Sequence, residues 1–207
     1  MRPDRVRYAY AVSEQGVLNV IDWNDVASPQ VLSNLAFDFN GAKLTDVEIC
    51  SSNGVMFIGA GAADTVSNGK VHVLSTVQRA SPSKPVSYGV LTTGPLPDMI
   101  LPNSDCTKLA VANEGEGEYD NELVDPHGSV MIIEASDWTN PNTAVTKSVA
   151  LSGYTDSQLM DMGVCLGREG RQMSGRGTCR CPSMPWCPSA AAVQSIQCFL
   201  QPAVTVV

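Results

Sequence analysis

Apolar and polar positions along this chain repeat as one phrase. A glycine opens an apolar run, a polar turn follows, and a proline stands 13 residues after the glycine. The three stretches read GVLNVIDWNDVASPQ from Gly16, GKVHVLSTVQRASPS from Gly69 and GSVMIIEASDWTNPN from Gly128, which sets Pro29, Pro82 and Pro141 in register. A second apolar strand precedes each glycine: Tyr8 to Val12, Val55 to Ala60, and Lys108 to Ala112. Before the last two comes a third, TDVEI around Asp46 and PDMIL around Asp98, 52 residues apart. These runs of four to six strand-forming residues, bounded by turn signals, predict half-buried or buried β-strands. Asn40-Gly41, Asn53-Gly54 and Asn68-Gly69 are expected to supply the left-handed positions of tight hairpins.

The repeat spacing is 53 residues from Gly16 to Gly69 and 59 from Gly69 to Gly128, the size of a four-stranded blade with one enlarged loop. The expected fold is therefore all-β, an incomplete β-propeller of about three blades over residues 1–160, with units beginning near 8, 43 and 96. A β-sandwich is the competing architecture, but it requires no matched glycine-to-proline offset. Propeller rings typically take ~4–8 blades. The chain is thus expected to be a fragment of a longer protein, completed by the missing blades of a parent chain or by self-association.

Composition changes at about residue 161. Residues 1–160 hold 19 Asp and Glu against 9 Lys and Arg, whereas 161–207 hold 2 against 4, together with five of the seven cysteines. The segment GREGRQMSGRGTCRCPSMPWCPS has no strand or helix period and suits a disordered tail, such as an alternative or shifted reading frame encodes. A small disulfide or zinc module is disfavoured, because Cys179, Cys181 and Cys187 lack paired C-x2-C spacing and no histidine follows.

The net charge of −8 disfavours nucleic acid and anionic membrane as partners, since phosphate binding needs clustered Lys and Arg. The N-terminal MRPDRVRYAYAVSEQ contains no apolar stretch of the secretory type. No run of ~18 apolar residues is present to span a bilayer, and FLQPAVTVV lacks the flanking features of a lipid-anchor signal. Cys50 and Cys106 sit at different places in their units and read as buried free thiols.

The most chemically loaded segment follows the second strand of the third unit. Glu114, Glu116, Glu118, Asp120, Glu122 and Asp125 place six carboxylates within twelve positions, interleaved with glycines. Hard cations such as calcium take 6–8 oxygen ligands, and a curling acidic loop can offer carboxylates and carbonyls together. These six residues are the candidate calcium ligands, with a solvated acidic hairpin as the alternative. The matching loop of the second unit, from Gly61 to Asn68, has one carboxylate. Gly59-Ala-Gly-Ala-Ala-Asp64 has two of the three glycines of a dinucleotide-binding loop and no helix to receive a pyrophosphate. His72 falls inside an alternating strand and His127 beside a turn glycine, and neither belongs to a catalytic constellation.

The run LPDMILPNSDCTKLAVANEGE from Leu96, followed by VDPHGSVMIIE from Val124, resembles the signature of the choice-of-anchor I proteins. In animals these are similar to the mesenchyme-specific cell surface glycoproteins. The resemblance covers roughly residues 8–159 and implies a secreted or surface-tethered propeller with YVTN/WD-like repeats. Such proteins are linked to biomineralisation, which implies calcium, a mineral surface or an extracellular matrix protein as partner. The family's acidic loop carries over to Asn113, Glu114, Gly115, Glu116, Asp125, Pro126 and Gly128. No N-x-[ST] sequon is present, so extracellular placement rests on the resemblance. Bacterial relatives with phosphatase labels imply a calcium-dependent phosphomonoesterase as the enzyme alternative. That chemistry needs a cationic group to clamp phosphate, and the 113–128 loop has neither Lys nor Arg. A generic protein-binding propeller is the third reading.

Overall fold

The computed structural model describes residues 8–78, 80–116, 124, 126–150, 155, 157 and 158. By contact density the chain divides into Met1–Ala150 and Leu151–Val207. In the second unit Thr155 and Gln158 form a capping box: Gln158 N donates to Thr155 Oγ1 (3.3 Å) and Thr155 N to Gln158 Oε1 (2.8 Å). The irregular tail expected over 161–207 lies outside the described residues.

Among its described residues the first unit is all-β, as expected, with helix limited to the short 3-10 turns Ser33–Leu35 and Pro141–Thr143. Its strands form three four-stranded antiparallel sheets. The first contains β1 (Tyr8–Ser13), β2 (Val17–Asp22), β3 (Gln30–Val31) and β4 (Phe37–Asp38), the last two both pairing with β2. The second is the meander β5 (Lys43–Cys50), β6 (Val55–Gly61), β7 (Asn68–Ser75) and β8 (Ser87–Pro95). The third is the meander β9 (Pro97–Pro102), β10 (Lys108–Asn113), β11 (Ser129–Glu134) and β12 (Val145–Ala150). Each repeat glycine stands at the start of the strand after β1, β6 or β10, and each repeat proline precedes the outer strand of its sheet.

Stacking explains why β6 is apolar without a break. Val55 and Phe57 pack with Val71 and Val73 against Ile100, Leu109, Val111 and Ile133 of the third sheet. Met56, Ile58 and Ala60 point the other way, onto Leu18 and Phe39. A strand covered on both faces loses the polar half of its alternation. Trp138 seals the core between the second and third sheets, standing edge-on to Phe57 at 4.7 Å and donating Nε1–H to the Cys106 carbonyl at 2.6 Å.

Two expectations are corrected. Asn68-Gly69 is not a turn, since both residues belong to β7. Gly69 is required there for close approach: a Cβ would run into the Pro97 ring and meet the Ala60 carbonyl oxygen at 2.7 Å. Gly16 is similarly crowded by Gly41 and Ala42 at 2.8 Å, so these two glycines leave room for the chain entering the next sheet. Second, Cys50 and Cys106 are buried but not free: they form a disulfide with a Cα–Cα distance of 6.0 Å. Cys50 ends β5 and Cys106 lies in the β9–β10 turn, so stacking brings together cysteines that occupy different places in their units.

Candidate acidic cleft

Antiparallel register determines which loops meet. Asn113 at the end of β10 pairs with Pro97 at the start of β9, and Gly61 at the end of β6 pairs with Lys43 at the start of β5. The end of β10 and the starts of β5 and β9, with the β1–β2 hairpin, therefore share one end of the stacked sheets. There Glu14, Lys43, Thr45, Asp98, Glu114 and Glu116 line a cleft of about 360 Å³. The cleft draws on all three sheets.

The root of the acidic loop is clamped. Glu114 N donates to the Leu96 carbonyl (2.8 Å) and Gly115 N to the Pro95 carbonyl (3.2 Å). Gly115 adopts φ +68°, and a side chain there would collide with the carbonyl of Pro126 on the returning arm. Asn113 turns inward, fully buried, with Nδ2 donating to Ser129 Oγ at 3.1 Å. It supports the loop from the core side.

The electrostatics are those of an under-neutralised site. Burial raises the Glu114 carboxyl above its ordinary value, the charges of Asp98 and Glu116 raise it further, and Lys43 partly opposes them. Asp46, which the sequence pattern matches with Asp98, has a different role, and strand register instead makes Thr45, the residue skipped in β5, the counterpart of Asp98, the residue skipped in β9. The Asp46 carboxylate accepts the amides of Val47 (2.8 Å) and Ile100 (2.9 Å), tying β5 to β9.

Of the six predicted calcium ligands, Glu114 and Glu116 reach the cleft, while Glu118, Asp120, Glu122 and Asp125 lie outside the described residues. Among the described residues, no three His, Cys, Asp or Glu side chains come close enough together to hold a metal ion. His72 packs edge-on against Phe39 at 4.9 Å, and His127 is exposed. Glu14, Lys43 and Asp98 were not singled out as site residues from the sequence. The sequence match of Asp98 with Asp46 does not point to the cleft, which Asp46 does not line, and Glu14 and Lys43 reach it only through stacking.

The model of the choice-of-anchor I domain matches residues 3–178. The chain belongs to the choice-of-anchor I domain family. The match extends beyond the 8–159 covered by the sequence resemblance and into the second unit. No curated protein matches this choice-of-anchor I chain. Among solved structures it is similar to a candidate 6-phosphogluconolactonase from Bacteroides fragilis, with 14% identity, a TM-score of 0.50, and coverage of 70% of this chain and 35% of that one. The choice-of-anchor I chain thus spans about a third of that structure's length, and likeness at this identity concerns the fold alone. No helix among the described residues is long and apolar enough to cross a membrane.

Proposed function

We propose that this choice-of-anchor I chain is part of a non-catalytic, surface-associated β-propeller protein whose acidic cleft engages calcium or a calcium-bearing mineral surface. The observation that carries the reading is the convergence of Glu14, Asp98, Glu114 and Glu116 on one cleft containing a single lysine. The raised Glu114 carboxyl is consistent with it: burial is the main cause, and the Asp98 and Glu116 charges, which a bound cation would offset, add to it. Ligand oxygens beyond Glu114 and Glu116 are assigned, in this reading, to Glu118, Asp120, Glu122 and Asp125, which lie outside the described residues.

Surface placement has two supports. One is the family. The other is the Cys50–Cys106 disulfide, a bond that persists in secreted and surface proteins and is rare in the reducing cytosol. Three successive four-stranded sheets with matched glycines, two of them meanders, support the propeller reading, with further blades, a second copy or a matrix protein as partners. The animal mesenchyme-specific glycoproteins and biomineralisation remain the proposed biological setting.

Titration calorimetry with calcium chloride tests the cleft. Wild-type chain is expected to release or take up heat with a saturable profile, and Glu114→Gln/Glu116→Gln/Asp98→Asn together to abolish it. An identical isotherm for the triple variant removes the cleft from the reading.

Lys43 favours a second reading, a calcium-dependent phosphomonoesterase. The acidic loop has no cation of its own, but stacking places Lys43 in the same cleft, where an ammonium can clamp a phosphate oxygen. Turnover of a chromogenic phosphate ester that needs calcium and disappears in Lys43→Met is the result this reading requires.

A further inference from the structure

We infer that Asn53-Gly54, in the turn between β5 and β6, is a site of spontaneous deamidation, and that the fold protects the chain's other two Asn-Gly pairs. The inference is independent of the calcium and surface readings. Asn40, Asn53 and Asn68 are each followed by glycine, the residue that least obstructs attack by its own nitrogen on the preceding side chain. In that reaction the deprotonated glycine nitrogen attacks the asparagine Cγ. A C–N bond forms, the bond from Cγ to Nδ2 breaks, and ammonia leaves with the proton that the glycine amide gave up. Water then opens the succinimide ring. Entry at Cγ yields aspartate, and entry at the main-chain carbonyl yields isoaspartate. Because the following residue is glycine in all three pairs, the dipeptides alone give no preference among them.

The three backbones differ. The ring closes only when the glycine nitrogen and the asparagine Cβ lie on the same side of the Cα–C bond. Asn68 is held extended in β7, opposite Pro95, and Gly69 is buried between the Pro97 ring and the Ala60 carbonyl, where a ring has no room to form. Asn40 is exposed but left-handed, with φ +56°. In that conformation, at ψ of about +47°, the next nitrogen stands almost opposite Cβ. Its hairpin is also fastened: Asn40 N donates to Asp38 Oδ1 (2.7 Å), Ala42 N donates to the Phe39 carbonyl (3.3 Å), and Gly41 lies close against Gly16. Asn53 is equally exposed, but it is not left-handed, and its turn gives that conformation to Gly54 at φ +68°. Rotation about the Cα–C bond of Asn53 therefore meets neither a strand ladder nor a left-handed turn.

The site is placed where the product matters. The Gly54 carbonyl accepts Thr76 N (2.8 Å) and Thr76 Oγ1 (3.2 Å), while Ser52 Oγ lies 3.2 Å from Cys50 Sγ and 3.5 Å from Cys106 Sγ. Isoaspartate at 53 adds a methylene to the main chain between these two attachments, and either product brings a carboxylate into the turn beside the disulfide.

The test incubates the 207-residue chain at mildly alkaline pH, with a parallel sample in concentrated urea, and follows the three asparagines by peptide mapping. In native buffer the Asn53 peptide is expected to gain about 1 Da and to split into aspartate and isoaspartate forms. Its rate should exceed those of Asn40 and Asn68 by about tenfold or more, because those two must first open locally. In urea the three rates should converge. Three outcomes overturn the inference: Asn40 or Asn68 keeping pace with Asn53 in native buffer, Asn53 staying intact there while it reacts in urea, or the native order of rates persisting unchanged in urea.

Discussion

Asp46 in β5 accepts the backbone amide of Ile100 in β9 at 2.9 Å, so a side chain of the second sheet satisfies a main-chain donor of the third. Ile100 is fully buried, so removing the carboxylate takes away the acceptor of a donor inside the fold. Asp46→Ala is therefore expected to lower unfolding free energy by about 1–3 kcal/mol, the cost of a buried unsatisfied donor. Asp46→Asn, which retains an acceptor oxygen, should lose less. Urea denaturation of the two variants checks the order.

The same residue carries a pH signature. Burial raises the Asp46 carboxyl, with Asp98 adding to the effect and the two amides opposing it. The folded state then holds this proton to higher pH than the unfolded state does. Its contribution falls as pH rises from the ordinary aspartate value through the folded value. Asp46→Asn should remove that slope, measured as urea midpoint against pH between 3.5 and 6, a range chosen around the ordinary carboxylate value of about 4.

Loss of the Cys50–Cys106 bond opens a long loop linking two sheets. Cys106→Ser is expected to destabilise the first unit by about 2–4 kcal/mol. Non-reducing peptide mapping should first recover the Cys50–Cys106 pair, and wild-type chain in reductant should approach the variant's midpoint.

His72 gives the opposite pH response. Burial holds its imidazole below the ordinary histidine value, and Lys70 pushes in the same direction. The neutral ring against Phe39 is the stable form, so this contribution is present above the ordinary value and lost as pH falls through the folded one. His72→Gln should flatten the decline in thermal midpoint between pH 7.5 and 5, a window bracketing the usual histidine pKa of about 6.5.

Glycine substitutions separate crowding from backbone strain. Gly69→Ala forces a methyl into the Pro97 ring and the Ala60 carbonyl, and should cost about 1–3 kcal/mol and loosen β9. Gly41 has nothing within 4 Å of its Cβ position and only its φ of +78° to resist alanine, so Gly41→Ala should cost about 1–2 kcal/mol and leave β9 unchanged. Denaturation midpoints with amide exchange in β9 distinguish the two effects.

Strand content was legible because it is written locally. Runs such as VMFIGA read as half-buried or buried strands, and the Gly-to-Pro register marks the repeat unit. Asn68-Gly69 misled because the dipeptide is a turn signal by propensity, yet here its glycine answers to a proline almost thirty residues away. The cysteines misled for a related reason: repeat register compares positions within a unit, whereas a disulfide depends on which ends of neighbouring units touch.

The candidate site divides along the same line. Glu114 and Glu116 stand out as charge density within one loop, which a linear reading can detect. Glu14, Lys43 and Asp98 are ordinary polar residues at the ends of three separate strands, and only antiparallel register and sheet stacking carry them to the cleft. By itself the sequence determined the all-β class, the repeat and the position of the acidic loop, because side-chain alternation and turn propensity act over a few residues. The tertiary structure alone decided the disulfide, the Asp46–Ile100 tie and the lysine among the carboxylates, because each depends on distances between segments that chain order leaves unspecified.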